Sequence, residues 1–359
     1  MVSQSYPASG TLRDGILVKA VPSKLTSRQI ADYLLVIGYD SPLNGKSYEP
    51  EEVAAGAFCA NIEELGRLIT QHLLTFPFEN TSMHYTPDHE MEVTPELLFP
   101  RFVRDKSGSY CYGQNGIFLE VLRGLGYRAY AVSARVSRDP DPDSHSYAFG
   151  PLSHLILLVQ LQYSGNANQT YAVDVGFGSA CLMRPILLSA NPNNIVYGLT
   201  NTERHRLVFE PSPNSSISAS SGSSGLGGGQ WNLEVGHRES PDALEIWHRK
   251  FSFTESECWQ PDIDVLSFAV SQRPGPRNLF YNTVICVKVF QEDKKKYRII
   301  LNGNEVKKSY GAKSEVMRTF NNELERIRAL REIFGLKISD EDEVHIRGRP
   351  AALNSQSRT

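Results

Sequence analysis

The chain reads as an α+β protein in which helix-forming and strand-forming parts are segregated along the sequence. Up to about residue 128 apolar residues recur at three- and four-residue spacing, and from Tyr130 the pattern changes to alternation and short apolar runs. Beyond about residue 241 strand-like stretches and a helical one follow each other, which makes a mixed third part. A length of 359 residues suggests two or three domains.

Residues 1–24 are polar, rich in Ser, Pro and Gly, and read as an arm outside any core. Thr26 or Ser27 can cap a helix whose apolar face is Ile30, Tyr33, Leu34 and Ile37 and which ends at Gly38. A capping box of Asn61 and Glu64 opens a second helix, with Ile62, Leu65, Leu68, Ile69 and Leu73 on one face. Thr94 and Pro95 start a third, which Pro100 should cut short. A fourth follows Cys111, with Ile117, Phe118, Val121, Leu122 and Leu125 at helical spacing and Gly124 and Gly126 at its end. These helices make a first domain over residues 25–128. Val132, Ala134 and Val136 then alternate, His154 to Val159 form an apolar run of strand length, and Tyr171 to Val175 make another short strand. A β-rich second domain over 129–240 follows. Within it residues 191–230 read as an irregular, flexible insertion, because the Ser- and Gly-rich tract from Ser216 to Gly229 buries too little apolar surface to offset its ordering entropy. Those glycines do not make a phosphate loop, since no strand precedes them and no Lys-Ser/Thr follows. The third part, 241–359, has strand-like Thr283 to Phe290 and Tyr297 to Leu301, a turn at Asn302 and Gly303, and a helix from about Ser314 to Phe334. Lys294, Lys295 and Lys296 sit between two strands as a solvated hairpin tip.

A net charge of −3 and a pI near 6.3 come with no basic stripe, which argues against nucleic acid and for small-molecule chemistry or protein partners. Five cysteines are an odd number, widely spaced, with no Cys-x-x-Cys pair and no histidine at zinc spacing. They imply a reducing compartment and no structural metal. Met1 to Val21 has no signal-peptide core, and no uncharged apolar run reaches membrane-spanning length. The expectation is a cytoplasmic protein with no membrane partner.

Cys111 falls at or just before a predicted helix N-terminus, where unpaired N–H groups and aligned peptide dipoles stabilise a thiolate. A small core residue is the alternative reading. A cysteine nucleophile needs a base and a third group to orient that base. His154 opens one predicted strand and Asp174 closes the next. A hairpin with its tip near Ser164 and Gly165 would set the two directly opposite, Cβ atoms about 4.5–5.5 Å apart, whereas a tip near Asn168 would separate them. A hydrogen-bonded strand-end histidine and a turn aspartate are the plain alternatives.

Four stretches stand in the order of the motifs of the arylamine N-acetyltransferases: Phe78-Glu79-Asn80-Thr81-Ser82-Met83-His84-Tyr85, Gly108-Ser109-Tyr110-Cys111, His154 to Val159, and Val173-Asp174-Val175-Gly176-Phe177-Gly178. The chain resembles that family from Leu25 to Arg347, beginning with Ala31-Asp32-Tyr33-Leu34, and its insertion and arm look more like fungal than bacterial members. The resemblance implies a helical bundle carrying the cysteine, a β-barrel carrying His and Asp, and an α/β lid. It implies that acetyl-CoA or another short acyl-CoA acylates Cys111, and that an aromatic amine, hydrazine or hydroxylamine attacks the thioester in a ping-pong cycle of xenobiotic detoxification. His154 takes the thiol proton and Asp174 holds the imidazole; no metal is required. Gly176, Phe177 and Gly178 look like the family's pocket loop, with Tyr110 as a further substrate contact, while Glu79 and Asn80 look structural.

One departure stands out: the family's Arg-Gly-Gly before the cysteine is Ser107-Gly108-Ser109 here. Glu79 is thereby left without its usual arginine, and Lys106 cannot make the same planar, bidentate contact. Rival readings are a papain- or transglutaminase-like cysteine hydrolase and a homologue that binds without catalysing. Fungal-type members also resemble malonyl and propionyl enzymes. A malonyl carboxylate in a desolvated pocket needs a cation or several donors, and the sequence does not place Arg104, Lys106 or Arg135 there, so acetyl or propionyl ranks ahead of malonyl.

Overall fold

The computed structural model describes residues 9–138, 149–163, 168–212, 215–216, 229–238 and 245–353. Its helical part comprises α1 (Ser27–Val36), α2 (Pro50–Ala54), α3 (Ile62–Thr75), a two-residue strand β1 (Phe78–Glu79), a short α4 (Ser82–Tyr85), α5 (Pro95–Val103) and α6 (Cys111–Gly124). Thr26 caps α1 in a reciprocal box with Gln29, and Gly38 takes a φ of 65° just beyond its end. Asn61 caps α3 by accepting from the Glu64 N–H. The expected box is one-sided, because the Glu64 carboxylate is bonded instead to the Tyr39 hydroxyl and, at 2.7 Å, to Arg67. Pro100 does not cut α5 short, which runs on to Val103. A proline removes only its own donor, and the Pro100 carbonyl still accepts from the Arg104 N–H at 2.9 Å.

Strands β2 (Arg128–Ser137), β3 (Phe149–Gln162), β4 (Asn168–Val173), β5 (Ile186–Leu187), β6 (Ile195–Tyr197), β7 (Glu203–Pro211), β8 (Gly229–His237) and β9 (Ile246–Glu257) form an antiparallel sheet in the order β5-β4-β3-β2-β9-β8-β7-β6. β5 comes round to β7, so the sheet is a nearly closed barrel. Leu155, Leu157 and Val159 of β3 pack with the helices, while Ile156 and Leu158 pack inside the barrel with Val132, Trp231 and Phe251. A strand covered on both faces reads as an unbroken apolar run, as His154 to Val159 does.

Two expectations about this half are corrected. β7 lies within the stretch read as irregular, yet its residues alternate in burial; the inward positions Glu203 and His205 are polar and hide the period. The Ser- and Gly-rich tract itself falls mostly outside the described residues. Residues 9–24 are not a detached arm either. Leu12 and Val18 are buried in the barrel core, and Gly10 accepts from the Thr170 N–H at 2.8 Å and donates to the Leu188 carbonyl at 2.9 Å.

After β9 come α7 (Gln260–Ser271), α8 (Leu279–Asn282), β10 (Ile285–Glu292), β11 (Lys295–Asn302), β12 (Glu305–Tyr310), β13 (Lys313–Thr319), α9 (Glu323–Phe334) and α10 (Glu343–Ile346). A second antiparallel sheet has the order β1-β10-β11-β12-β13, so the segment that bridges to the Cys111 loop at Ser109 is an edge strand of the C-terminal sheet. The helix expected from Ser314 is half strand: Asn322 caps α9 only from Glu323, and Val316 and Met317 lie on the exposed edge β13. Val316, Phe320 and Ile327 fall near the helical repeat, which masks the break.

Arg298 on β11 joins the two sheets, donating from Nη1 and Nη2 to both oxygens of Glu203 on β7 at 2.7 and 2.9 Å. Burial alone would raise the Glu203 pKa, but the Arg298 charge and hydrogen bonds, with His205 beside them, hold the carboxyl well below its usual range. Removing one partner strands a buried charge. Arg298→Met should therefore cost about 3–5 kcal/mol in urea unfolding, whereas Arg298→Met with Glu203→Leu should recover most of that loss; a double variant no more stable than the single one would contradict this account.

Candidate active site

Cys111 is the first helical residue of α6, and Tyr110 precedes it as an N-cap without a side-chain bond. The Cys111 sulfur lies 3.8 Å from the Ser153 carbonyl, close enough to the His154 imidazole to favour its charged form, and His154 Nε2 is 2.7 Å from Asp174 Oδ2. Cys111, His154 and Asp174 are 3%, 2% and 0% exposed. Burial works against a charged His154. The Asp174 carboxylate and the Cys111 sulfur outweigh it and raise the pKa to about 9, so the ring carries a proton at neutral pH.

The hairpin brings His154 and Asp174 together in a register other than the expected one. Leu157 faces Val173, which sets Asp174 opposite Ile156 rather than His154; the expected tip at Ser164 and Gly165 lies outside the described residues. The pairing is shifted by two residues, and a two-residue shift keeps the same face because side chains alternate with period two. His154 therefore meets Asp174 on the diagonal, a distance that long side chains span.

Sequence reasoning missed the residues that fix this geometry. Asn115, one turn after Cys111, donates from Nδ2 to the Leu155 carbonyl at 2.7 Å and to Asp174 Oδ1 at 3.0 Å, and its Oδ1 accepts from the Val175 N–H at 3.1 Å. The Gly176 N–H donates to Asp174 Oδ1 at 2.8 Å. Gln114 donates to the Pro77 carbonyl at 2.6 Å and accepts at 2.6 Å from His72 Nε2, while His72 Nδ1 accepts from the Tyr33 hydroxyl at 2.6 Å. Burial pushes the His72 pKa down to about 3, so a neutral imidazole relays between the two. The available signal was position: 114 and 115 follow Cys111 by three and four residues, which helix geometry turns back toward it.

Of the expected pocket residues, Gly176 and Phe177 stand at the cluster. A Cβ on Gly176 would come within 2.6 Å of Asn115 Nδ2 and 2.8 Å of Cys111 Cα. Phe177 packs edge-on against His154 at 4.8 Å and against Phe251 at 5.0 Å. Gly178 has a φ of 61° and rests against the Phe78 ring. Tyr110 points elsewhere, since its hydroxyl is hydrogen-bonded to Ser267 of α7 and its ring meets Phe280 of α8 edge-on. Glu79 is not left alone as expected: Arg101 of α5 pairs with it. Asn80 accepts from the Ile285 N–H at 2.8 Å and braces the entry to β10.

This mixed α/β architecture is that of the arylamine N-acetyltransferases. The structure of the enzyme from Mycobacterium abscessus aligns with a TM-score of 0.66 over 89% of this chain and 93% of that one, at 21% identity; that of the Mycobacterium marinum enzyme in complex with CoA aligns with a TM-score of 0.63 over 88% and 98%, at 22% identity. A family model described as N-acetyltransferase matches residues 61–344, and the chain belongs to that family, the arylamine N-acetyltransferases. It is 28% identical over 333 residues to the N-malonyltransferase FDB2 of Fusarium pseudograminearum (strain CS3096), covering 89% of this chain and 92% of that protein. It is 34% identical over 211 residues to the arylamine N-acetyltransferase of Escherichia coli (strain K12), covering 58% and 60%. The protein is thus an acyltransferase of an acyl-CoA-dependent family. Among the described residues no helix is long and apolar enough to cross a membrane.

The five cysteines should separate sharply in reactivity. Burial raises the thiol of Cys181 to about 12, that of Cys258 to about 11 and that of Cys286 as well, while Cys59 is exposed without a histidine partner. Iodoacetamide at pH 6 should label Cys111 first, as read by peptide mass spectrometry; equal labelling of Cys59 would contradict activation of Cys111 by the neighbouring His154. The folded pKa of His154 lies above the ordinary value of about 6.5, so its stabilisation is complete below pH 6.5 and is lost as pH rises through about 9. Urea unfolding should show that alkaline decline in the native chain and lack it in Asp174→Asn.

Proposed function

We propose that the chain moves a short acyl group from acyl-CoA to an aromatic amine, hydrazine or hydroxylamine in two half-reactions through Cys111. The observation that carries this reading is the buried cluster of Cys111, the first residue of α6, with His154, whose Nε2 lies 2.7 Å from Asp174 Oδ2. The Cys111 thiolate adds to the thioester carbonyl of acyl-CoA, and the tetrahedral oxyanion collapses by expelling the CoA sulfur, which takes the proton from His154. The amine nitrogen then adds to the Cys111 thioester. Neutral His154 accepts the amine proton, and collapse releases the amide and regenerates the thiolate–imidazolium pair. Asp174 keeps the imidazole aligned in both halves.

N–H groups of the first turn of α6 have no intrahelical acceptor, and they stand ready to stabilise the oxyanion. Phe177 and Gly176 form the wall on which the acceptor stacks. The barrel expected over 129–240 runs on through β9 to Glu257, because that strand lies between β2 and β8 in its sheet. A helical domain (25–128), this barrel and a lid from α7 onward, in place of one over 241–359, fit this chemistry, with the nucleophile drawn from the first and its partners from the second. Five free cysteines favour a reducing cytoplasm, and detoxification of foreign amines is the role that suits the acceptor class.

Acetyl or propionyl is the donor group we favour, since Arg104, Lys106 and Arg135 are all exposed and Arg104 is paired with Asp105 at 3.1 Å. Malonyl is the second reading, on the name of the Fusarium relative.

Incubation with acetyl-CoA alone should add one acetyl group to the native chain by intact mass and none to Cys111→Ala. Initial rates with an aromatic amine should give the parallel double-reciprocal lines of a ping-pong cycle, and acyl-CoA turnover without amine at the same speed would identify a hydrolase instead. Competition between acetyl-CoA and malonyl-CoA settles the donor: a kcat/KM ratio favouring malonyl by about tenfold, some 1.4 kcal/mol, would reverse our ranking. Gly176→Ala, which must push Asn115 and Cys111 apart, should slow transfer by about a hundredfold.

A further inference from the structure

We infer that Arg101, near the end of α5, is the positioning residue for the Cys111 loop and takes over from the arginine that position 107 lacks. Glu79 is 0% exposed. Its Oε2 accepts from the Thr81 N–H at 2.6 Å and the Thr81 hydroxyl at 2.5 Å, and its Oε1 accepts from Arg101 Nη2. Arg101 Nε meanwhile donates to the Gly108 carbonyl at 2.8 Å. One planar guanidinium thus ties β1 to the backbone three residues before the nucleophile, a geometry that an ammonium cannot copy.

The loop it holds has no slack. The Glu79 N–H donates to the Ser109 carbonyl at 3.1 Å, and the Ser107 N–H donates to the Arg101 carbonyl at 3.2 Å. A Cβ on Gly108 would lie 1.6 Å from the Pro77 oxygen. Displacing the Gly108 carbonyl therefore moves the first turn of α6 and the sulfur with it. Other cations nearby are engaged or directed away: Lys337 pairs with Asp105 at 3.0 Å, and Lys106 is exposed with a φ of 51°. Ser107, Arg101 and Thr81 line one cavity of about 180 Å³, which offers an arginine at position 107 space beside Thr81, the residue whose hydroxyl donates to Glu79.

The inference rests on the acyl-transfer reading for its first assay but not for its second. The full chain is compared with Arg101→Lys, Arg101→Ala, and Arg101→Ala carrying Ser107→Arg. Arg101→Lys should slow Cys111 acylation at saturating acetyl-CoA by about tenfold or more, leave the half-saturating concentration within about twofold, and shift the pH profile of iodoacetamide labelling at Cys111. Ser107→Arg should restore most of the rate lost in Arg101→Ala. A folded Arg101→Lys that is acylated within about threefold of the native rate, with an unchanged labelling profile, overturns the inference, and that variant alone decides if Arg101→Ala does not fold. If the native chain is labelled at Cys111 but never acylated, the acyl-transfer reading fails, and the labelling profiles still decide the role of Arg101.

Discussion

The site depends on one amide side chain. Asn115 leaves α6 one turn below Cys111 and reaches the Leu155 carbonyl, next to His154, the Asp174 carboxylate and the Val175 N–H. Helix and barrel share one apolar core through Leu155, Leu157 and Val159 of β3, but apolar contact is non-directional and does not by itself aim polar groups at one another. Asn115 sets their relative position with bonds that each exclude water from a buried polar group. Such a node tolerates no partial occupancy, since an unpaired buried carbonyl or carboxylate costs more than the bond contributes. The neutral His72 and Gln114 pair ties the neighbouring position of α6 to α3 and to the Pro77 carbonyl, so the head of the helix is fixed to the bundle as well as to the barrel.

Close approach is the second constraint. Gly176 sits against the Cys111 backbone and Gly108 against Pro77 with no volume for a side chain, which brings the pocket loop and the loop before the cysteine within contact of the first turn of α6. The aromatic packing of Phe177 and Phe251 around His154 then excludes solvent from the imidazole. A low local dielectric strengthens its attraction to Asp174 enough to overcome the cost of burying the charge.

Much of this was legible in the residues. Caps at Thr26 and Asn61 mark helix starts because they are local chemistry, and the unbroken apolar run after His154 announces a strand, whereas the cap at Asn322 was overlooked because the apolar spacing ran on through it. Failures occurred where tertiary contacts overrode local pattern. β7 hid because Glu203 and His205 occupy inward positions that only a partner from the other sheet, Arg298, makes tolerable. The His154–Asp174 register could be read to within one period but not assigned, since the slip depends on a loop whose length the pattern does not encode. Arg101 was invisible for the same reason: a residue ten positions before the cysteine reaches the loop only through the packing of α5 against α6.

That β1 belongs to the C-terminal sheet bears on the order in which the molecule becomes competent as it is synthesised. The strand that seats the nucleophile loop pairs Phe78 with Val287 and Glu79 with Cys286, partners that emerge from the ribosome some two hundred residues later. A nascent chain that already contains Cys111, His154 and Asp174 still lacks the surface on which the loop is set. Chains that stop short of β10 would therefore carry these three side chains without the strand that pairs with β1, so the loop before Cys111 gains that support only once β10 has been made.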